Sequence, residues 1–175
     1  MGNDLFSYLE RLEIMVFFAG YAFIYALVFF LAGEFRKWPG SFIELLPKLL
    51  PYAYALTGTL FLGYIVKKVY VGNTMGITIS QLNHPYLALW GILAMVFWIP
   101  AAAKKPLLSL LHSLVFFYFI PRDIYLYLTH SAEKDVIKND MNIFTSSLML
   151  NAATLLMLLL MFYLMRYIQG RPRSH

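Results

Sequence analysis

A run of twenty residues without a charged side chain, from Ile14 to Gly33, is the feature that most constrains how this chain folds. A helix rises about 1.5 Å per residue, so the run is about 30 Å long as a helix, which matches the hydrocarbon core of a bilayer. Of the 175 residues, 61% are hydrophobic and 13% are charged, whereas soluble domains have about 45–50% and about 25%. The sequence therefore predicts an integral membrane protein.

Four further apolar stretches have lengths close to that of a spanning helix. We predict an all-α bundle of five transmembrane helices that forms a single transmembrane domain over residues 1–175, with four spans plus an interfacial helix as the alternative. Pro47 and Pro51 precede the second span and predict a helix start near Pro51. The predicted spans are residues 14–33, 49–66, 85–103, 107–127 and 143–165.

The fourth apolar stretch is interrupted by Pro121 and by the adjacent charged residues Arg122 and Asp123. Residues 107–120 alone would form a helix about 21 Å long, too short to span, whereas residues 107–127 have the required length. Proline removes a helical hydrogen bond and bends the helix, and a charged side chain costs less near the membrane surface than at its centre. We therefore expect a helix bent near Pro121, with the charged pair at the outer headgroup level.

Charged residues from other segments are expected at the same level. Adjacent residues on a helix point in different directions, so Lys67 or Lys68 is a better partner for Asp123 than Arg122 is. His84 begins the third span on this side of the membrane. One interpretation of this outer-interface cluster is a quinone, haem-propionate or proton site. The other is a structural set of charged helix ends that fixes the depth of the helices.

His112 lies six residues after Pro106, more than one turn inside the fourth span. An ionisable residue at that depth is a candidate functional residue, and His112 and His84 are the candidate cofactor ligands. Ligation of haem by two histidines needs both at matching depth, whereas His84 is expected at the membrane surface. We therefore expect no metal site and no cofactor held wholly within this chain. A haem or quinone shared with a partner and a histidine that only packs are the alternatives.

Two helix faces have the composition of packing surfaces. One is a polar stripe on the fifth span, because residues at i, i+4 and i+7 share a face. The other is a row of small residues at four-residue spacing on the second span. Hydrogen bonds between helices contribute about 0.6 kcal/mol each, and small residues let helices approach closely. The residues are Ser147, Asn151 and Thr154 in the stripe, and Ala55, Thr59 and Gly63 in the row.

Basic residues are divided unequally between the two sides of a five-span bundle. The side with the first and third connections and the C-terminus carries eight lysines and arginines, and the other side carries six. Loops rich in basic residues stay in the cytoplasm. We therefore expect the N-terminus outside and the C-terminus in the cytoplasm, in a bacterial inner membrane.

Motifs of catalysis in membranes are missing from the sequence, which has no HExxH, no GxSxG, no phosphate-binding loop and no cysteine. The sequence favours a chain without catalytic activity of its own, a structural or accessory subunit of a respiratory, transport or export complex in the inner membrane. Its expected partners are the lipid bilayer and other membrane subunits, and its scattered basic residues do not indicate nucleic acid binding. The alternatives are a small oligomeric transporter or channel, and a redox subunit that contributes to a quinone or haem site.

Overall fold

A computed structural model describes residues 2–34, 45–74, 85–129 and 134–169, and His84 lies outside these ranges. Every regular element in the described ranges is a helix, which confirms the predicted all-α class. The elements are α1 (Gly2–Phe18), α2 (Tyr21–Glu34), α3 (Leu46–Thr74), α4 (Pro85–Leu93), a 3₁₀ helix (Ala94–Trp98), α5 (Pro100–Ala103), α6 (Pro106–Phe117), α7 (Phe119–Leu128) and α8 (Lys134–Gln169).

Four of the five predicted spans correspond to helical stretches long and apolar enough to cross a membrane. They are Tyr8–Glu34, Leu46–Val71, Pro106–Leu128 and Asp135–Gln169. The predicted third span contains a shorter apolar helix, Pro85–Trp98. The chain is therefore a multi-pass membrane protein, and its last helix extends beyond the predicted residues 143–165 at both ends.

The predicted third span is an interrupted helix. After α4 the chain continues as a 3₁₀ helix, and the backbone is extended at Ile99 (φ −74°, ψ 122°) before Pro100 begins α5. A proline disfavours helical backbone in the residue before it, which explains the break. With rises of about 1.5 Å per residue in α-helix and about 2.0 Å in 3₁₀ helix, the pieces together are about 30 Å long.

This interrupted segment packs antiparallel to α3. A Cβ atom on Gly91 would lie 2.7 Å from the ring of Phe61. Nearer the end of the segment, Trp98 Nε1 donates to Thr59 Oγ1 at 2.9 Å, and the Trp98 ring lies 6.3 Å from that of Tyr52. The segment therefore lies alongside the middle of α3.

Four helices, α1, α3, α7 and α8, meet at one end of the bundle, which we call the N-terminal end. Side-chain contacts there join residues 8–13 of α1 to the last turns of α3, to α7 and to the first turns of α8. The first and last long segments therefore begin at this end, α3 and α7 finish there, and with the interrupted segment between them the five segments alternate in direction. The contacts are Glu13 with Lys68, Arg11 with Asp123, and Tyr8 with Asp140.

Two prolines, Pro51 and Pro121, do not end or bend a helix at the positions expected from the sequence. The predicted helix start near Pro51 is wrong, because α3 begins at Leu46 and includes Pro51. In the fourth span the helix is interrupted at Tyr118, between α6 and α7, although the backbone of Tyr118 itself stays helical (φ −56°, ψ −30°). Pro121 has no N–H to donate to the carbonyl of Phe117, four residues earlier, and its ring crowds that group. The missing hydrogen bond explains why α6 ends at Phe117.

Aromatic side chains fill the centre of the bundle. The rings of Phe18 and Phe116 are stacked at 4.7 Å, and Phe18 meets Tyr54 and Phe61 edge to face at 5.7 and 5.2 Å. All four side chains have 0% exposure. Aromatic pairs in these arrangements contribute about 0.5–1.5 kcal/mol beyond the burial of their area, so the centre is closely packed around them.

Candidate functional site

Arg11 and Asp123 form a buried ion pair at the N-terminal end of the bundle. Arg11 Nη2 donates to Asp123 Oδ2 at 2.7 Å, and the two side chains are only 14% and 4% exposed. The central guanidinium carbon also lies 5.2 Å from the ring centroid of Tyr8 and 5.4 Å from that of Phe119. Cation–π attraction strengthens where water is excluded. Arg11 is therefore held by an opposite charge and by two aromatic rings.

A second buried carboxyl lies beside this pair. Asp140 is 2% exposed, and its Oδ1 accepts a long hydrogen bond of 3.4 Å from the Tyr8 hydroxyl. The Asp140 carboxyl also interacts with that of Asp123, by charge and by hydrogen bonding, and it is attracted by Arg11. Two acidic groups thus share one basic group in a site with little access to water. We call Tyr8, Arg11, Asp123 and Asp140 the Arg11 cluster.

The partner of Asp123 differs from the expected one. The sequence pointed to Lys67 or Lys68, whereas the structure gives Arg11, which precedes Asp123 by 112 positions. A sequence signal for Arg11 does exist, because it lies three residues before the first apolar run. That position puts its charge at the level of the helix ends, on the side where Asp123 was expected.

The remaining members of the predicted outer-interface cluster are spread over the surface. Lys68 pairs with Glu13, and the two side chains are 41% and 38% exposed. Lys67 and Arg122 have exposed side chains, and His84 lies outside the described residues. Exposed ion pairs contribute little to stability, so Asp123 is the described member of the predicted cluster that forms a buried ion pair.

His112 lies among aromatic rings within the fourth span. Its Nδ1 is 2.7 Å from the Tyr54 hydroxyl, and its ring stacks on that of Trp90 at 4.7 Å with an angle of 5°. Trp90 Nε1 also donates to the backbone carbonyl of His112 at 3.2 Å. The Nε2 atom is buried and has no hydrogen-bond partner among the described residues. The Tyr54 hydroxyl and the Trp90 ring hold the imidazole, and Trp90 also holds the backbone of His112.

We expect His112→Leu to lower the free energy of unfolding by about 1–3 kcal/mol, because it leaves the buried Tyr54 hydroxyl without a partner. The double variant with Tyr54→Phe removes both polar groups and should recover most of the loss. Unfolding of the purified protein by sodium dodecyl sulfate in mixed micelles measures both. The absorption spectrum should be the same before and after substitution, and loss of a chromophore in His112→Leu would identify the residue as a cofactor ligand instead.

The first span is broken near its middle, at Ala19–Gly20, between α1 and α2. The backbone groups released by this break are bound by α8. Asn151 Nδ2 donates to the carbonyl of Phe17 at 2.8 Å, and the Gly20 N–H donates to Ser147 Oγ at 2.8 Å. A bilayer core supplies no water to such groups, so neighbouring side chains must bind them. Two members of the predicted polar stripe therefore stabilise a break in another helix.

The rest of the stripe joins α8 to α3. The Thr57 hydroxyl lies 3.4 Å from Asn151 Oδ1 and 3.3 Å from the Thr154 hydroxyl. Ser147, Asn151 and Thr154 are all buried. Together with Gly20 and Thr57 they form what we call the mid-bundle network, which joins the first span, α3 and α8.

The predicted row of small residues on α3 is only partly in contact. Ala55 is fully buried and Thr59 binds Trp98. A Cβ on Gly63, by contrast, would meet nothing within 4 Å, so this residue does not serve close packing. The glycine on α3 that does so is Gly58, where a Cβ would lie 2.9 Å from that of Ala94.

The residues that the structure describes include no group of three histidine, cysteine, aspartate or glutamate side chains suited to a metal ion. Comparison with protein-family models, with curated proteins and with solved structures finds no match to this chain. Its function is therefore inferred from its own contacts.

Proposed function

We propose that this chain is a non-catalytic structural or accessory subunit of a larger membrane complex, of respiratory, transport or export type. The observation that carries the proposal is the way the middle of the bundle is filled. The mid-bundle network satisfies its polar groups from within the chain, and fully buried aromatic side chains pack around it. Such an interior supports a role in holding helices together better than a role in conducting a solute.

The outer faces of two helices support contacts with neighbouring subunits. Contacts within the chain bury 50% of the most apolar 18 residues of Tyr8–Glu34. They bury only 28% of the corresponding residues in Pro106–Leu128 and 22% in Asp135–Gln169. The 36 residues of α8 form a helix about 54 Å long, longer than the roughly 40–45 Å of a whole bilayer. We assign these faces to lipid and to other membrane subunits, since helices in membranes associate through packing of such surfaces.

Mild-detergent purification of the native complex followed by mass spectrometry tests this proposal. We expect a different membrane protein to copurify at a fixed stoichiometry. A homo-oligomer of this chain alone would contradict the proposal and favour the oligomeric transporter or channel. A haem absorption band or bound quinone at stoichiometric amount would contradict it in favour of a redox subunit.

We place the complex in a bacterial inner membrane, with the N-terminus outside and the C-terminus in the cytoplasm, on the basis of the eight and six basic residues on the two sides. A reporter that is active only in the cytoplasm, fused to either terminus, should give a signal from the C-terminal fusion alone. Equal signals from both fusions would contradict five crossings of the membrane.

A further inference from the structure

Two carboxyl groups in the Arg11 cluster contact each other, and neither is exposed to water. Asp123 is 3% exposed and Asp140 is 2% exposed. Asp140 Oδ2 receives no hydrogen bond from an N–H or O–H group of the described residues, and the Asp140 carboxyl interacts with that of Asp123. Two ionised carboxylates offer only acceptor atoms. This contact is therefore favourable only when one of the two groups carries a proton.

The charges around the pair lead to the same requirement. The titratable or charged groups that interact with Asp140 are Tyr8 and Arg11 from α1 and Asp123 from α7. Arg11 supplies one positive charge, and its guanidinium is bound to Asp123 Oδ2. Tyr8 supplies only a neutral donor. Two ionised carboxylates would leave one negative charge uncompensated in a buried site, which is strongly unfavourable.

We propose that the N-terminal end of the bundle is a proton-binding site, at which one proton is shared between Asp123 and Asp140 at neutral pH. Asp140 carries the proton and donates it to Asp123, which stays ionised and paired with Arg11. The bound proton makes the Arg11 cluster neutral and joins α7 to α8. When the proton leaves, two like charges remain in contact, and the two helices are driven apart at this end.

This site goes beyond a purely structural role, because the ligand controls a contact between helices. The break between α6 and α7 lies at Tyr118, only five residues before Asp123. The proton therefore acts on the last part of the fourth span, where α7 packs against α8.

Infrared spectroscopy of the full chain in lipid vesicles at pH 7 tests the proposal. A protonated carboxyl has a carbonyl stretching band well separated from those of carboxylates, and the band shifts in D₂O. We expect this band in the wild-type protein and its loss in Asp140→Asn, whose amide keeps a donor toward Asp123. Asp135→Asn, at an exposed position on α8, and Glu10→Gln, at a buried position on α1, should both retain the band.

The free energy of unfolding as a function of pH provides a second readout. An aspartic acid in the unfolded chain releases its proton at about pH 4, whereas the folded site keeps it at neutral pH, so wild-type stability should fall as pH rises from about 4 through neutrality. Asp140→Asn cannot lose its donor and should show a flatter profile than the wild type over the same range.

Three outcomes would overturn the proposal. One is a wild-type spectrum at pH 7 without the protonated band, which decides the matter even if Asp140→Asn does not fold. Another is a band of unchanged intensity in folded Asp140→Asn. The third is stabilisation of the wild type by sodium chloride but not by choline chloride at equal concentration, which would make the occupant a metal cation.

Discussion

Gly20→Ala should lower the free energy of unfolding by about 3 kcal/mol, at the upper end of the range for overpacked positions. A Cβ at this position would lie 2.5 Å from the backbone nitrogen of Leu148 and 2.6 Å from the backbone carbonyl carbon of Ser147. Backbone atoms of a helix cannot rotate aside as a side chain can. The first span and α8 would have to separate, and the hydrogen bond from Gly20 to Ser147 would be lost with them.

Unfolding in mixed micelles measures this effect, and Gly33→Ala is the matched control. Gly33 lies in the same span, but a Cβ there meets nothing within 4 Å, so its substitution should leave stability nearly unchanged. Equal stability of the two variants would contradict the close approach of α8 to the broken first span.

Arg11→Met should lower the free energy of unfolding by about 3–5 kcal/mol, the usual loss when one partner of a buried ion pair is removed. Asp123 would remain buried beside Asp140 with no positive charge to compensate it. Asp123→Ala should also reduce the yield of folded protein, because it leaves Arg11 without its partner. The double variant Arg11→Met, Asp123→Leu replaces the pair by apolar side chains and should recover most of the stability.

Lys68→Met is the control for this prediction, since the ion pair between Lys68 and Glu13 lies at the surface. It should change the stability little. A loss in Arg11→Met no larger than that in Lys68→Met would contradict the buried pair. A normally folded and assembled Asp123→Ala protein that had lost a measurable activity would instead make Asp123 a functional residue.

Features set by long apolar runs were predictable from the sequence. The run from Ile14 to Gly33 is hydrophobic enough to require a membrane, and a backbone in hydrocarbon must bond to itself. Those two facts account for the all-α class and for the approximate positions of four long helices. An interruption of the fourth span was predictable, because Pro121 has no N–H to donate to a helical hydrogen bond.

The break in the first span was not predicted, because an Ala-Gly pair inside an apolar run looks like continuous helix. Its position depends on what α8 offers to the released backbone groups of Phe17 and Gly20. The polar stripe on the fifth span was visible in the sequence, but its target was not. A stripe of this kind can bind side chains of another helix or its backbone, and only the structure distinguishes the two.

Pairings between distant residues were also beyond the sequence. Arg11 and Asp123 lie at the same end of the bundle, and so do other charged residues such as Glu13 and Lys68. Choosing among them requires the lateral order of the helices, which apolar runs do not specify. The same reason explains why Gly63 on α3 contacts nothing while Gly58 packs against Ala94.

One face of α8 organises much of the bundle. Asp140 belongs to the Arg11 cluster at the N-terminal end, and further along the same helix Ser147, Asn151 and Thr154 bind the broken first span and α3. Its opposite face is exposed, with side chains such as Leu160, Leu164 and Met149 at 71%, 59% and 69% exposure. The helix thus has one surface for its own chain and a second that we assign to a neighbour.

Photo-crosslinking in intact membranes tests that assignment most directly. A photoreactive residue in place of Leu160, which is 71% exposed, is compared with one in place of the adjacent Leu159, which is 4% exposed. The proposed subunit role predicts that position 160 forms a crosslink to one different membrane protein, whereas position 159 reacts only within its own chain. Crosslinks from position 160 only to lipid, or only to a second copy of this chain, would contradict it.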